Sequence, residues 1–218
     1  MASEQAPGRG GVIKTIFDKA AALAGIVVLT PIFVVVSIAI VCDDGFPVLF
    51  RQTRFGRNGK TFRLIKFRSM VSGRAGARIT AANDDRFTRL GRTLRQYKLD
   101  ELPQLLNVLK GDMSLVGPRP EVPEYVELRE PVWQAVLSVK PGITDLATLL
   151  HRDEERLLAC VDNPEKYYRE VLLPSKLALS RHFIETAGFW RQLALVFWTA
   201  YYSVFPKQFN TNRIRRRF

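Results

Sequence analysis

AAALAGIVVLTPIFVVVSIAIVC, residues 20–42, is a run of 23 residues without a charge. As a straight helix it would be about 34 Å long, enough to cross the hydrocarbon core of a bilayer. It is too long for the apolar part of a secretory signal, and no small-residue cleavage site follows it. Its flanks give no orientation for a simple crossing, because Arg9, Lys14 and Lys19 precede it while Arg51, Arg54, Arg57 and Lys60 follow it. Pro31 divides the run into nearly equal halves, each roughly 16 Å long if helical. Two readings are compatible with these residues. One is a proline-kinked spanning helix; the other enters one leaflet, bends at Thr30-Pro31 and returns to the same face.

Outward from this segment the chain is strongly basic. The 218 residues carry a formal net charge of +12, and residues 51–98 alone hold fourteen Lys and Arg against Asp84 and Asp85. A polyanion is the expected partner, whether membrane headgroups, nucleic acid or a diphosphate. At 47% hydrophobic the chain supports one domain with a core, plus attachments. Residues 189–205 include Trp190, Phe197, Trp198, Tyr201 and Tyr202, with Arg191 as the only charge, which suits either a membrane-interface helix or a core helix. The tail, with Arg213, Arg215, Arg216 and Arg217, is expected to be an unstructured surface anchor or a solubilising end. Cys42 and Cys160 are far apart and lack metal-ligand spacing, and His151 and His182 are equally isolated, so all four read as structural or surface residues.

Between the apolar segments, residues 48–55 and 61–70 read as two strands joined around Asn58-Gly59. Lys66 and Arg68 then share one side of the second strand, as a phosphate-binding pair or a solvated face. Arg57-Asn58-Gly59-Lys60-Thr61 is not a phosphate-binding loop: Arg54 stands where that pattern needs Gly, and Lys60 opens a strand. Residues 73–83 read as a mobile loop. Phe87, Leu90, Leu94 and Tyr97 mark an amphipathic helix with its arginines on other faces. Leu102, Leu105, Leu106 and Leu109 mark another, whose expected N-cap is Asp100 with Pro103 in its first turn. Pro103 would delete an N–H that an N-cap Asp normally satisfies, leaving Asp100 freer to face a substrate. The alternative is an acidic first turn that only stabilises its helix. Arg95 and Lys98 lie close by in sequence, and Pro118-Arg119-Pro120 presents one guanidinium on a rigid turn. Lys140-Pro141-Gly142-Ile143-Thr144 is a further turn of that kind.

Several of these stretches together resemble one family. They are Lys66-Phe67-Arg68-Ser69-Met70, Leu99-Asp100-Glu101-Leu102-Pro103-Gln104-Leu105, residues 107–120 ending in Gly117-Pro118-Arg119-Pro120, and Pro141-Gly142-Ile143-Thr144. In this order they resemble the bacterial sugar transferases, the monotopic phosphoglycosyl transferases of glycoconjugate assembly. The resemblance covers roughly residues 14–144.

The resemblance implies an α+β, mainly helical fold: a re-entrant membrane helix over 14–43, a small β-hairpin within a cytosolic catalytic core over 44–187, and an amphipathic interfacial helix over 188–206. A flexible N-terminus, 1–13, and a basic tail, 207–218, complete the expected organisation. The implied reaction moves a sugar 1-phosphate from a UDP-sugar to polyprenyl phosphate, releasing UMP. Asp100 would be the nucleophile that carries a covalent phosphosugar, and Glu101 would help hold Mg2+. Lys66, Arg68, Arg95 and Arg119 would bind phosphate. Thr30-Pro31 would be the helix break, with Thr30 bonding the backbone freed by Pro31. The implied partners are the UDP-sugar donor, the polyprenyl phosphate acceptor and the lipids of a bacterial inner membrane at its cytoplasmic face, without nucleic acid and with a homodimer left open.

Two departures bear on substrate recognition. Many members continue Gly-Ile-Thr with Gly-Leu-Ala-Gln, where this chain has Asp145-Leu146-Ala147-Thr148, and the segment up to Lys176 also differs from the commonest form. A non-catalytic membrane adaptor is the competing reading. A nucleic-acid-binding protein fits poorly, because the basic residues accompany an uncharged apolar segment.

Overall fold

The computed structural model describes residues 9–71, 79–82 and 84–218. The fold is mainly helical with two small sheets. Helix α1, Arg9–Asp44, runs unbroken for 36 residues and extends past both ends of the apolar run. Among the described residues it is the one helix long and apolar enough to cross a membrane. Val27, Val28, Val34, Val35 and Ile38 are all exposed on it, whereas Ala22, Val36 and Ile40 are buried against the rest of the protein. Thr30 donates its hydroxyl to the Ile26 carbonyl at 2.8 Å. It does not reach the carbonyl of Val27, the one that Pro31 deprives of a partner, so the expected repair of the freed backbone is not made.

Both ends of α1 are tied to the same body. Near its start Lys14 bonds the side chains of Asp18 and Ser114, and Ser114 donates to Asp18 at 2.7 Å. At its end Asp43 accepts from the Leu90 N–H at 3.1 Å, and Arg68 donates to the carbonyls of Asp44, Gly45 and Phe46. Between these ties Phe33 packs on Phe67, with ring centres 5.4 Å apart.

The expected hairpin is present: β1, Leu49–Phe55, pairs antiparallel with β2, Thr61–Phe67. Asn58 and Gly59 both adopt positive φ at its tip, which allows the sharp turn. The second strand ends at Phe67 rather than Met70, which makes only an isolated bridge to Phe87. The loop expected over 73–83 lies largely outside the described residues, although Ile79 and Ala81 belong to the core. Helix α2, Arg89–Gln96, is N-capped by Thr88, whose hydroxyl accepts from Gly91 N–H at 2.9 Å, and it buries Leu94. A 3-10 turn, Leu99–Glu101, leads to α3, Gln104–Lys110.

Asn107 joins α3 to the hairpin. Its Oδ1 accepts from Ile65 N–H at 3.0 Å and its Nδ2 donates to the Arg63 carbonyl at 2.8 Å, with the side chain fully buried. Asn107→Leu would leave two backbone groups of β2 without partners. We expect it to lower stability by about 2–4 kcal/mol, measured by chemical denaturation; unchanged stability would show that water replaces the amide.

Strand β3, Ser114–Val116, pairs parallel with β4, Gly142–Thr144, and α4, Pro131–Leu137, lies between them in sequence. The turns after β3 and before β4 touch directly. A Cβ on Gly117 would lie 2.3 Å from the Lys140 carbonyl oxygen and one on Gly142 would lie 2.1 Å from Gly117 N, so neither glycine can be replaced without moving the backbone. This contact fixes the Pro118-Arg119-Pro120 turn, whose Pro118 carbonyl accepts from Gly142 N–H.

The short helices α5, Leu146–Leu150, α6, Glu154–Leu158, and α7, Pro164–Tyr167, follow. A π-helical turn, Tyr168–Leu172, joins α7 to α8, Leu173–Thr186. Pro174, without an N–H, stands just after the widened turn. Trp133, Val136, Tyr168, Leu172, Leu173 and Leu177 belong to the largest core cluster, each buried aliphatic side chain worth about 1.5–3 kcal/mol.

Helix α9, Phe189–Val204, buries Leu195 and Tyr202 but exposes Phe189, Trp190, Leu193, Phe197 and Val204. Phe189 meets Phe17 of α1 edge-on at 5.3 Å. The tail differs from the expected unstructured anchor. It forms α10, Thr211–Arg215, buries Ile214 completely, and sets Arg217 over Trp198 at 4.3 Å. The basic residues hid one apolar anchor, which joins a cluster with Leu146 and Leu149 of α5, Phe183 of α8 and Leu195 and Tyr202 of α9.

Candidate active site

Asp100 is not the N-cap of α3. Lys98 takes a left-handed conformation, φ +57°, which ends α2 and starts the 3-10 turn, and Pro103 occupies the N-cap of α3. The tighter turn carries both carboxylates inward: Asp100 is 3% and Glu101 7% exposed. Asp100 Oδ1 is buried and has no hydrogen-bond partner. Its freedom comes from this placement rather than from a missing N–H at Pro103.

Glu101 is held from two sides. Arg119 forks onto it, Nη2 to Oε1 at 2.7 Å and Nη1 to Oε2 at 3.3 Å, and Lys66 Nζ lies 3.8 Å from Oε1. Burial alone would raise the Glu101 pKa, but Arg119, Lys66 and Lys98 together hold it well below the usual carboxylate range. Asp100 is pushed the other way. Burial, and then the neighbouring Glu101 charge, raise its pKa against the pull of Lys66, Arg95 and Lys98. The pKa values of two adjacent carboxylates are thus pushed in opposite directions.

Asp100 faces a cleft of about 450 Å3 that is also lined by Lys66, Arg68, Arg95 and Arg119, whereas Glu101 sits behind that wall on Arg119. Lys66 and Arg119 meet Glu101 directly. Arg68 reaches back to the end of α1, and Arg95 is paired with Glu155 and stacks over Phe87. Either of the last two would have to share its guanidinium with a bound anion.

Burial lowers the Lys66 pKa to about 8, with Glu101 opposing and Arg119 assisting. If protonated Lys66 holds substrate phosphate, turnover falls as pH rises through about 8, and Lys66→Arg moves that limb upward. Stability moves oppositely: the unfolded lysine keeps its proton up to about pH 10.4, so the contribution of Lys66 to stability increases between about pH 8 and 10. A pH–rate profile with parallel melting curves checks both signs.

The profile of the bacterial sugar transferase family matches residues 9–206. The chain belongs to this family. It is 37% identical over 188 residues to the UDP-glucose:undecaprenyl-phosphate glucose-1-phosphate transferase of Caulobacter vibrioides, covering 84% of this chain and 66% of that protein. It is 30% identical over 209 residues to the exopolysaccharide production protein ExoY of Sinorhizobium fredii, covering 87% and 84%. A third relative, the UDP-N-acetylgalactosamine-undecaprenyl-phosphate N-acetylgalactosaminephosphotransferase of Aeromonas hydrophila, is 41% identical over 144 residues, 64% of this chain and 34% of that protein. The chain therefore spans about two thirds of the first of these relatives and one third of the last.

In this bacterial sugar transferase the cleft contains residues that local patterns did not single out. Arg152 and His151 line it beside Thr148, whose hydroxyl is buried without a partner. Arg54, Glu121, Glu154, Tyr168 and Lys176 line it as well. They come from five separate places in the chain, so no sequence spacing signals their convergence. Asp145, one of the departures from the common form, has a structural role: it caps α5 through the Thr148 N–H at 2.6 Å and accepts from Ser180 at 2.6 Å.

The acidic pair offers a divalent cation one open oxygen at most, that of Asp100. No group of three or more candidate metal ligands occurs among the described residues. Mg2+ commonly binds through one or two carboxylates and completes its shell with waters and substrate phosphates. The unpartnered Asp100 Oδ1 supplies an open oxygen. Both Glu101 oxygens already accept from Arg119, so Glu101 would have to share.

Proposed function

We propose that this bacterial sugar transferase moves a sugar 1-phosphate from a UDP-sugar to polyprenyl phosphate at the cytoplasmic face of the bacterial inner membrane. One observation carries this reading: a buried carboxylate oxygen without a partner stands in a cation-rich cleft whose Arg68 bonds the end of a long apolar helix. Asp100 attacks the sugar-linked phosphorus, and the bond to the UMP oxygen breaks with its electron pair leaving on UMP. An oxygen of the polyprenyl phosphate then attacks the same phosphorus and regenerates Asp100. Lys66 and Arg119 neutralise the diphosphate, while Glu101 orients Arg119. Arg95 and Arg68 extend the cationic wall. Mg2+ held at the acidic pair would spread charge from the phosphate oxygens.

The re-entrant arrangement of α1 is part of this proposal. At about 54 Å the helix exceeds the roughly 30 Å apolar thickness of a bilayer. Ties of Lys14 and Asp18 to Ser114, and of Asp43–Asp44 to Leu90 and Arg68, bind both ends to one charged body, which favours both ends lying on one side of the membrane. The exposed apolar stripe of α9, beside Phe17, would rest at the same interface.

UMP release from a panel of UDP-sugars, with Mg2+ and undecaprenyl phosphate, tests the reaction. Release that requires all three is expected, and no release from any donor would refute it. Cysteines introduced at positions 10 and 50 should be labelled from the same side of the membrane; labelling from opposite sides would overturn the re-entrant helix.

A further inference from the structure

The cleft has a second end that phosphate chemistry does not use. Two residues after Arg119, Glu121 points into a buried polar group: Tyr168 donates its hydroxyl to Glu121 Oε1 at 2.8 Å, and Arg54 lies 3.6 Å from Oε2. Lys176 donates to Glu154 at 3.0 Å and to the Tyr168 oxygen at 3.4 Å, and its ammonium is 3.8 Å from Glu121. Burial and the neighbouring Glu121 charge raise the Tyr168 pKa, so its hydroxyl keeps its proton.

Charge separates the two ends. Around Asp100 and Glu101, cations exceed acids, as a diphosphate requires. At the second end, among the described residues, Arg54 and Lys176 balance Glu121 and Glu154, so these four groups sum to no net charge yet are dense in donors and acceptors. Such a surface matches hydroxyl groups rather than phosphate or apolar groups. Arg119 joins the ends: it forks onto Glu101 and feels the charges of Glu121 and Glu154. A sugar attached to a phosphate bound at Arg119 would therefore lie against this wall. Glu154 is the most open member, its side chain 23% exposed against 8% for Lys176 and 9% for Glu121. It is placed to meet the ligand first and would repel an acidic sugar.

We propose that Glu154, Lys176 and Tyr168, supported by Glu121 and Arg54, form the sugar-recognition wall of the donor site and select an uncharged hexose over a uronic acid. The inference rests on the transferase reading above and adds the identity of the residues that read the sugar. The π-helical turn at Tyr168–Leu172 brings Tyr168 and, two turns later, Lys176 to this wall.

The test uses the full chain in detergent with Mg2+ and undecaprenyl phosphate, comparing kcat/KM for UDP-glucose, UDP-galactose and UDP-glucuronic acid. The wild-type protein should prefer a neutral donor over UDP-glucuronic acid by about tenfold or more, and Glu154→Gln should narrow that gap by about tenfold. Tyr168→Phe should change the ratio of the two neutral donors about threefold or more, while inhibition by UMP stays within about twofold of wild type. A merely structural role would lower all donors by one factor and leave every ratio intact, which would overturn the proposal. UMP inhibition that weakens in step with the donors would also overturn it, by assigning the wall to the nucleotide. If Glu154→Gln fails to fold, Tyr168→Phe carries the same test with loss of one hydroxyl. Activity with unchanged ratios refutes the wall alone, whereas no wild-type UMP release from any donor refutes the transferase reading and the wall together.

Discussion

Asp100→Asn is expected to abolish UMP release, lowering turnover by at least about 10³-fold, and to remove the labelled phosphosugar adduct. The amide keeps the shape of the side chain but has no charge with which to attack phosphorus. Stability should move the other way. Burial and the Glu101 charge both disfavour the ionised form of Asp100, whose Oδ1 has no partner. A neutral isostere removes that cost, so the melting temperature should hold or rise by a few degrees, about 2–4 °C per kcal/mol for a domain of this size. Loss of activity with a stable fold separates chemistry from architecture. A persistent adduct would assign the nucleophile elsewhere, and a collapsed melting temperature would give Asp100 a structural role.

The features legible in the sequence were those set by local periodicity. Asn58-Gly59 between two alternating runs marked the hairpin, and the uncharged run around Pro31 marked α1. The site was legible in composition but not in geometry. The leucine spacing after Asp100 implied a helix with Asp100 as its cap, but the left-handed Lys98 and the N-cap position of Pro103 delay α3 to Gln104. Arg68 and Arg95 find partners 24 and 60 residues away, at Asp44 and Glu155, and no pattern of nearby residues encodes such pairings. Ile214 shows the same limit, since four arginines around it masked a fully buried residue that helps seat the tail.

Arg119→Met should have the second large effect, because it removes the fork that keeps Glu101 charged in a buried place. Lys66 at 3.8 Å is too distant to replace two hydrogen bonds. Breaking such a pair by deleting one partner costs about 3 kcal/mol, and losing the phosphate-facing guanidinium should cut kcat/KM by about 10²-fold or more. The double variant Glu101→Gln/Arg119→Met leaves no orphaned charge between the two, so most of the stability should return while activity stays low. Acid unfolding provides an independent check. Arg119 and Lys66 hold the Glu101 pKa well below its ordinary value, so the pair's stabilisation is complete above about pH 4.3, the unfolded value, and is lost only as pH falls further toward the lowered folded value. Without Arg119 the folded pKa of Glu101 rises toward or above the unfolded one, and this acid-sensitive stabilisation shrinks or reverses. Equal acid midpoints for wild type and Arg119→Met would mean that Lys66 and Lys98 alone keep Glu101 ionised, making Arg119 a ligand for substrate phosphate rather than the partner that sets the charge of the pair.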